Sequence, residues 1–446
     1  VIPANRWDWR LYFDADPQAR DRIYSKWGGF LDDVPFDPLR FGIPPKSLKS
    51  IEPLQLLALE VVRRALEDAG YATAEFDREN TSVILGAGGG LADLGQQYAT
   101  RSEIPRYVEN PDEGVWDRLP EWTEESFPGV LLNVIAGRVA NRFDLRGTNH
   151  TVDAACASSL AAIDLAVKDL ESGHSNMAIV GGVDTIQSPF AFYCFSKSQA
   201  LSPRGRCRSF DQSADGIAIS EGLAVVVLKR LGDAERDGDR IYGVIKAVGG
   251  SSDGKALGMT APRPEGQMLA LGRAYGKAGF APSTLGLYEA HGTGTAVGDR
   301  AELETLVTTM NEHQAHPKAC VLGSVKTMIG HTKSTAGVAG LVKAVLALHH
   351  RVQPPHANVE QPLAPITDPS SPVYLLREAR PWIAHPDYPR RAGVSAFGFG
   401  GTNFHAVLEE YAAASVKPQG ADRWPCELLI LRAASKSALV EEIERL

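Results

Sequence analysis

Short apolar, β-branched runs alternate along this chain with helical patterns rich in alanine and leucine, and that alternation constrains the fold most. The run "TSVILGAGGG" reads as a buried strand entering a glycine loop, and further strand-like runs fall at 150–155, 177–183, 223–229, 241–248, 285–290, 319–325 and 392–397. An amphipathic stripe begins at Pro53 in "PLQLLALEVVRRALEDAG" and ends at Gly70. Strands that are apolar throughout are covered on both faces, so the pattern predicts an α/β architecture with mostly buried strands. The first ~50 residues (with Trp7, Trp9, Tyr12 and Phe13) and the proline-rich 351–372 segment read as irregular structure crossing the surface. The polar 98–128 stretch, with its Trp- and Pro-rich turns, reads as an insertion.

A chain of 446 residues predicts two domains or one large double-layered unit. A formal charge of −8 argues against a general nucleic-acid binder. The cysteines, Cys156, Cys194, Cys207, Cys320 and Cys426, are scattered and form no C-x-x-C pair, which predicts reduced thiols and no zinc site. With no charged-then-apolar leader and no apolar run of 18 residues, the expectation is a cytoplasmic protein with no membrane partner.

Three motifs are decoys. "GAGGGL" at 86–91 follows a strand, but the third glycine of a dinucleotide fingerprint falls on Leu91. "GHSNM" at 173–177 has Met177 where a nucleophile elbow requires glycine, and reads as a helix end and turn. His313 and His316 lie in a polar loop with no third ligand nearby.

In "TVDAACASSLAAIDLAVKDL" (151–170), Cys156 stands where a strand-like run gives way to a helical stripe of Leu160, Ile163, Val167 and Leu170. There it faces the positive end of a helix dipole, which predicts a lowered thiol pKa. A buried structural cysteine is the other reading, and position alone leaves both open. His291 and His331 each lie in a glycine-flanked loop at the C-terminal end of a predicted strand, the usual place for a site in an open α/β sheet.

The motifs "VDAACASSL", "SPRGRCRSFDQSADG", "EAHGTGTAVGD", "GSVKTMIGHTKSTAG" and "GVSAFGFGGTNFHAVLEE" span nearly the whole chain. In them the chain resembles the β-ketoacyl synthases, specifically the ketosynthase domain of type I polyketide synthases. The stretches "FGIPPKSLKSIEPLQLLALE", "CFSKSQALSPRGRC" and "SDGKALGMTAPRPEGQ" are similar to the iterative kind that makes enediyne precursors or polyunsaturated acids. The resemblance implies a thiolase-like fold, in which two similar mixed-sheet halves build five αβαβα layers, and a homodimer. It also implies a ketosynthase domain over 1–420 (halves about 1–240 and 241–412), with its first strand missing ahead of Val1, and a linker beginning in 421–446.

Family roles carry over by motif. Cys156 matches the nucleophile that takes an acyl chain from a carrier-protein thioester. His291 and His331 match the pair that holds the carbonyl of a malonyl-type extender during decarboxylation. Lys326 and Glu302 match a charged pair that orients them, and Asp299 supports the same loop. Phe399 matches a gating aromatic whose N–H joins that of Cys156 in an oxyanion hole, with Gly398, Gly400 and Gly401 letting the loop swing. Thr293 and Thr295 match hydroxyls that bind the pantetheine arm. The implied partners are an acyl carrier protein bearing phosphopantetheine and the neighbouring domains of a megasynthase; no cofactor or metal of the domain's own is implied. Lys197, Arg204, Arg206 and Arg208 are candidates for docking the acidic carrier.

Three rival readings remain. The interval from Cys156 to His291 suits a papain-like hydrolase, but that reading leaves Lys326 and the second histidine unexplained. A non-decarboxylating thiolase-type acyltransferase shares the nucleophile without the two-histidine set. A catalytically silent scaffold would be expected to have lost Cys156 or one histidine.

Overall fold

The computed structural model describes residues 1–255, 258, 261–412 and 431–445. It divides into a large unit, Val1–Glu410, and a small one, Tyr411–Leu446. The proposed linker residues 421–430 lie outside the described part.

In the large unit, β1 (Thr81–Gly86), β2 (Asn149–Val152), β3 (Met177–Asp184) and β4 (Gly222–Lys229) form a sheet in the order β2-β1-β3-β4. β2 and β3 run parallel to β1, and β4 runs antiparallel to β3. The later strands are β5 (Val244–Ser252), β6 (Leu287–Glu289), β7 (Cys320–Gly323), β8 (Val352–Gln353), β9 (Val373–Tyr374), β10 (Arg380–Pro381), β11 (Arg391–Gly398) and β12 (Thr402–Glu409). Apart from the short β8–β10 pairing, they form a second sheet in the order β5-β12-β11-β6-β7-β9. Its β7-β6-β11-β12 portion repeats the first sheet's pattern of two parallel neighbours and then an antiparallel one. The two halves are thus similar folds, though the sequence carries no visible repeat.

The helices of the first half are α1 (Pro53–Asp68), α2 (Asp93–Tyr107), α3 (Glu113–Trp116), α4 (Ser126–Val130), α5 (Asn133–Phe143), α6 (Ser158–Glu171), α7 (Pro189–Lys197) and α8 (Leu231–Asp237). Those of the second are α9 (Pro264–Ala278), α10 (Ala296–Glu312), α11 (Lys326–Ile329), α12 (Ala336–His350) and α13 (Ala364–Thr367). In the small unit α14 (Lys436–Glu444) starts where Ser435 Oγ accepts the Ala438 N–H at 3.2 Å.

Burial sorts these elements into five layers. α1 and α5 cover the outer face of the first sheet through Leu54, Leu59, Val62, Ile135 and Val139. α6 and α12 fill the space between the sheets, in one core with Ile84, Val180, Val394 and Ala406. α9 and α10 cover the far face of the second sheet through Leu271, Leu303 and Leu306. Each large apolar side chain so buried contributes about 1.5–3 kcal/mol. The central helices are small-residue helices because two sheets and another helix press on them. A β-carbon on Gly337 of α12 would lie 2.7 Å from Leu160 Cγ of α6.

Three local expectations change. The 98–128 stretch is largely helical, in α2, α3 and α4, where turns were expected. α2 buries only Gly95 and Tyr98, so it carries no apolar stripe to read. The helix after Cys156 starts at Ser158, one residue later than its pattern suggested, after a 3-10 turn over Ala155–Ala157. β12 is a full strand that the apolar runs did not announce. The decoy glycine loop serves close packing: a β-carbon on Gly86 would lie 2.5 Å from Ser159 N, and one on Gly88 would lie 2.4 Å from Asp153 Oδ1.

Candidate active site

Cys156 stands at the crossing from β2 to α6, in a turn built by its neighbours. Ser158 Oγ accepts the Ala154 N–H at 2.9 Å and donates to the Ala155 carbonyl at 2.6 Å. Asp153 Oδ1 accepts the Ala155 N–H at 2.9 Å. Together these bonds hold Ala155 at φ +49°, a left-handed conformation that alanine seldom adopts. The strain turns the next residue, Cys156, out of the strand direction at the head of α6.

The end of β11 ties this thiol to the first histidine. The Phe399 amide acts on the Cys156 thiol and pulls its pKa down. Two residues earlier, the Phe397 N–H donates to His291 Nδ1 at 3.3 Å. Thiol and imidazole are therefore touched by one stretch of backbone. Gly398, between these donors, permits the approach, since a β-carbon there would lie 2.3 Å from the Ala154 carbonyl oxygen. Its part is close contact, while Gly400 and Gly401 beyond it hold left-handed conformations at φ +93° and +76°. Phe399 is 47% exposed, its ring 6.5 Å from that of Phe195.

The His291 and His331 ring centroids are 5.7 Å apart at an interplanar angle of 82°. His331 is fastened by its backbone: its N–H donates to Ala218 O at 2.7 Å and its carbonyl accepts from Ser220 N at 2.9 Å. The Lys333 N–H donates to His331 Nδ1 at 3.0 Å. In both rings Nδ1 thus accepts a backbone N–H, which leaves the proton of the neutral ring on Nε2. Burial and the Lys326 charge, with the His331 ring beside it, hold the His291 imidazole well below the usual histidine range. Burial and the Lys326 and Lys333 charges do the same to His331. The site therefore presents two neutral rings, each with an Nε2–H.

Two carboxylates of α10 shape the His291 loop. Glu302 accepts the His291 and Gly292 N–H groups, each at 2.7 Å. Asp299 accepts those of Thr293 and Gly294 at 3.1 Å and of Phe210 at 2.7 Å. Burial raises both carboxyls to about 7 against these amides. The orienting pair expected of Lys326 and Glu302 is not a contact ion pair: no salt bridge within 4 Å joins them, because Glu302 spends both oxygens on the loop. Lys326 is buried, is lowered by that burial, and acts on Cys156 and both histidines through space. Sequence reading missed Glu289, which accepts the Val325 N–H and pairs with Lys343 at 2.7 Å, joining the strand of His291 to the segment of His331.

Thr293 and Thr295 lie together, Oγ1 to Oγ1 at 3.0 Å. The docking candidates are less uniform than their spacing suggested. Arg204 pairs with Asp215 at 2.6 Å and Arg208 with Glu360 at 3.3 Å. Lys197 donates to the Ala19 carbonyl at 2.6 Å and Arg206 to Asn358 at 3.2 Å, and neither has an acidic partner within salt-bridge distance among the described residues. Among those residues, too, no three His, Cys, Asp or Glu side chains group as metal ligands, and no helix is long and apolar enough to cross a membrane.

The lowered thiol expected from the helix dipole is opposed by burial. Burial pushes Cys156 up to about 11, against the pull of Lys326, Lys333 and the Phe399 amide. Alkylation of Cys156 by iodoacetamide, followed by peptide mass mapping, is expected to accelerate about tenfold per pH unit from 7 to 10. A plateau near neutral pH would mean the dipole outweighs burial.

Residues 1–234 match the family described as beta-ketoacyl synthase, N-terminal domain, and residues 242–360 match beta-ketoacyl synthase, C-terminal domain. A polyunsaturated fatty acid synthase subunit from Thraustochytrium is 40% identical over 96% of this chain and 16% of its own length. Polyketide synthase PksN of Bacillus subtilis is 38% identical over 92% of this chain and 7% of its own. The chain thus spans a small part of these curated relatives. Among solved structures, the ketosynthase from module 6 of the Bacillus subtilis bacillaene synthase is 36% identical, with a TM-score of 0.79 over 93% of this chain and 67% of that one. The oxazolomycin ketosynthase domain of Streptomyces albus is 34% identical, with a TM-score of 0.80 over 92% of this chain and 69% of that one. A five-layered fold of two similar halves, a cysteine turn linked through the end of β11 to one of two paired neutral histidines, and matches along both halves together make this chain a member of the β-ketoacyl synthase family, a ketosynthase domain of the polyketide synthase type with the thiolase-like fold.

Proposed function

We propose that the domain joins a Cys156-bound acyl chain to a malonyl-type extender by decarboxylative Claisen condensation, both substrates arriving on the phosphopantetheine of an acyl carrier protein. The observation that carries this reading is the pair of imidazoles with Nδ1 occupied by backbone and Nε2–H left to donate. In the loading step Cys156 Sγ attacks the carrier thioester carbonyl, the carrier's C–S bond breaks, and its thiol leaves with the proton Cys156 gives up. The N–H groups of Phe399 and Cys156 stabilise the oxyanion. In the extension step the extender's bond to its carboxylate breaks and CO2 leaves. The electron pair becomes an enolate whose oxygen accepts both Nε2–H bonds. The enolate carbon then attacks the Cys156 thioester, and the thiolate is expelled and reprotonated. Neutral donors suit this step, because an imidazolium would sit unfavourably beside Lys326 in a buried site.

Thr293 and Thr295 are assigned to the pantetheine arm, and Lys197 and Arg206 to carrier docking. The implied homodimer would cover exposed apolar side chains such as Tyr107, Trp122 and Phe127. Intact-mass spectrometry tests the reading. Incubation with an acyl thioester is expected to add one acyl group, lost in Cys156→Ala, and malonyl-carrier protein is expected to discharge it as a β-ketoacyl product. Loading without discharge would favour a thiolase or hydrolase, and no loading would favour a scaffold.

A further inference from the structure

Lys333, two residues beyond His331, is a buried non-glycine residue at φ +50°. A β-carbon disfavours that conformation, so tertiary contacts must hold it. Its ammonium lies 3.0 Å from Asp184 Oδ1 and donates to the Ser220 carbonyl at 3.0 Å. The side chains of Lys333 and Asp184 are only 11% and 3% exposed. Asp184 is the last residue of β3, in the other half of the fold, and it also takes the neighbouring Ser334 hydroxyl at 3.2 Å. The Ile186 N–H, at 3.0 Å, fixes the carboxylate in turn. A single carboxylate from the first sheet therefore grips two successive residues of the His331 turn.

A buried ion pair is weak evidence for stability, so its use is sought in what it orders. It orders the Lys333 backbone, whose N–H makes the 3.0 Å bond to His331 Nδ1. If Lys333 relaxes to the right-handed region, that N–H turns away, and either imidazole nitrogen becomes free to carry the proton.

We propose that Asp184 and Lys333 form a clamp between the two halves that holds Lys333 left-handed and thereby keeps the His331 proton on Nε2. They are positioning residues for condensation. The inference rests on the proposed function for its rate consequence, but its structural consequence can be read without turnover.

The test compares the whole chain with Lys333→Ala, Lys333→Gly and Asp184→Asn. Glycine lacks the ammonium but adopts φ +50° freely, whereas alanine lacks both advantages. Selective 15N-histidine labelling, with the His331 signal assigned by its loss in His331→Gln, is expected to show a bare Nδ1 in wild type and in Lys333→Gly. Lys333→Ala and Asp184→Asn are expected to show tautomer exchange. Single-turnover condensation from preloaded enzyme is expected to be about tenfold faster in Lys333→Gly than in Lys333→Ala, equivalent to about 1.4 kcal/mol of conformational bias. Loading of Cys156 is expected to be equal in Lys333→Ala and Lys333→Gly, which both remove the ammonium that pulls on the thiol, so that only condensation separates them. If Lys333→Ala fails to fold with Asp184 left unpaired, the double variant Asp184→Asn/Lys333→Ala replaces it. Alanine matching or exceeding glycine in tautomer and rate would overturn the clamp, as would loading that is slowed in Lys333→Ala but not in Lys333→Gly. A wild type that loads without condensing would instead overturn the proposed function, while the 15N signals would still decide the clamp.

Discussion

His291→Ala and His331→Ala are each expected to load an acyl group on Cys156 at near wild-type rate and to condense about 10²–10³-fold more slowly, the usual cost of removing one oriented donor from a developing oxyanion. The split follows from geometry. In the proposed mechanism loading uses the Cys156 sulfur and the N–H groups at the Phe399 turn, whereas only extension needs the two Nε2–H groups. The role of each ring can be narrowed further with glutamine, whose amide N–H falls near the position of Nε2–H while carrying no charge and no base. If neutral donation is the function, His331→Gln retains more condensation than His331→Ala. If the ring must take up or give up a proton, glutamine and alanine are equally poor. Rapid-quench measurement of β-ketoacyl product from preloaded enzyme, with the loading rate measured on the same samples by intact mass, separates these outcomes. A parallel loss of loading in both alanine variants would place the histidines in the first half-reaction and overturn the assignment.

Gly398→Ala is expected to be the most damaging single methyl group near the site. Its β-carbon would meet the Ala154 carbonyl oxygen at 2.3 Å and the Ala155 β-carbon at 3.4 Å, and neither belongs to a flexible side chain. Either the Phe399 turn or the Cys156 turn must retreat, and both carry oxyanion donors. Loading is expected to slow by about 10²-fold, the scale of losing one such donor. The overpacking itself costs about 1–3 kcal/mol of stability. Gly400→Ala is the control. Its β-carbon would meet nothing within 4 Å, but the residue sits at φ +93°. Its cost is backbone strain of about 1–2 kcal/mol within the turn, with a smaller effect on loading. Thermal denaturation and acyl loading on both variants decide the matter. Gly398→Ala loading at the wild-type rate would show that the close approach is not needed.

The sequence by itself determined the elements whose signals are local. Apolar runs such as "MAIVGGV" and "LAVVVLK" read as strands covered on both faces, and β3, fully buried, and β4, a partly buried edge strand, follow within a residue. Cys156 at a strand-to-helix turn, and His291 and His331 past strand ends, were legible because glycine and small residues mark where chain direction changes. Their family roles came from motif resemblance, which periodicity alone could not supply. Only the tertiary structure decided what depends on residues far apart in sequence. α2 was hidden because a helix with two buried residues has no stripe to detect. The Cys156 thiol is pushed up by burial among the surrounding layers, which its place at a helix start does not reveal. Glu302 spends its oxygens on the His291 loop, and so the pairing expected with Lys326 does not form. Ala155 and Lys333 hold left-handed conformations that their side chains disfavour. Local propensity opposes both, and they persist because contacts made by the folded chain outweigh a backbone cost that no short stretch of sequence reveals.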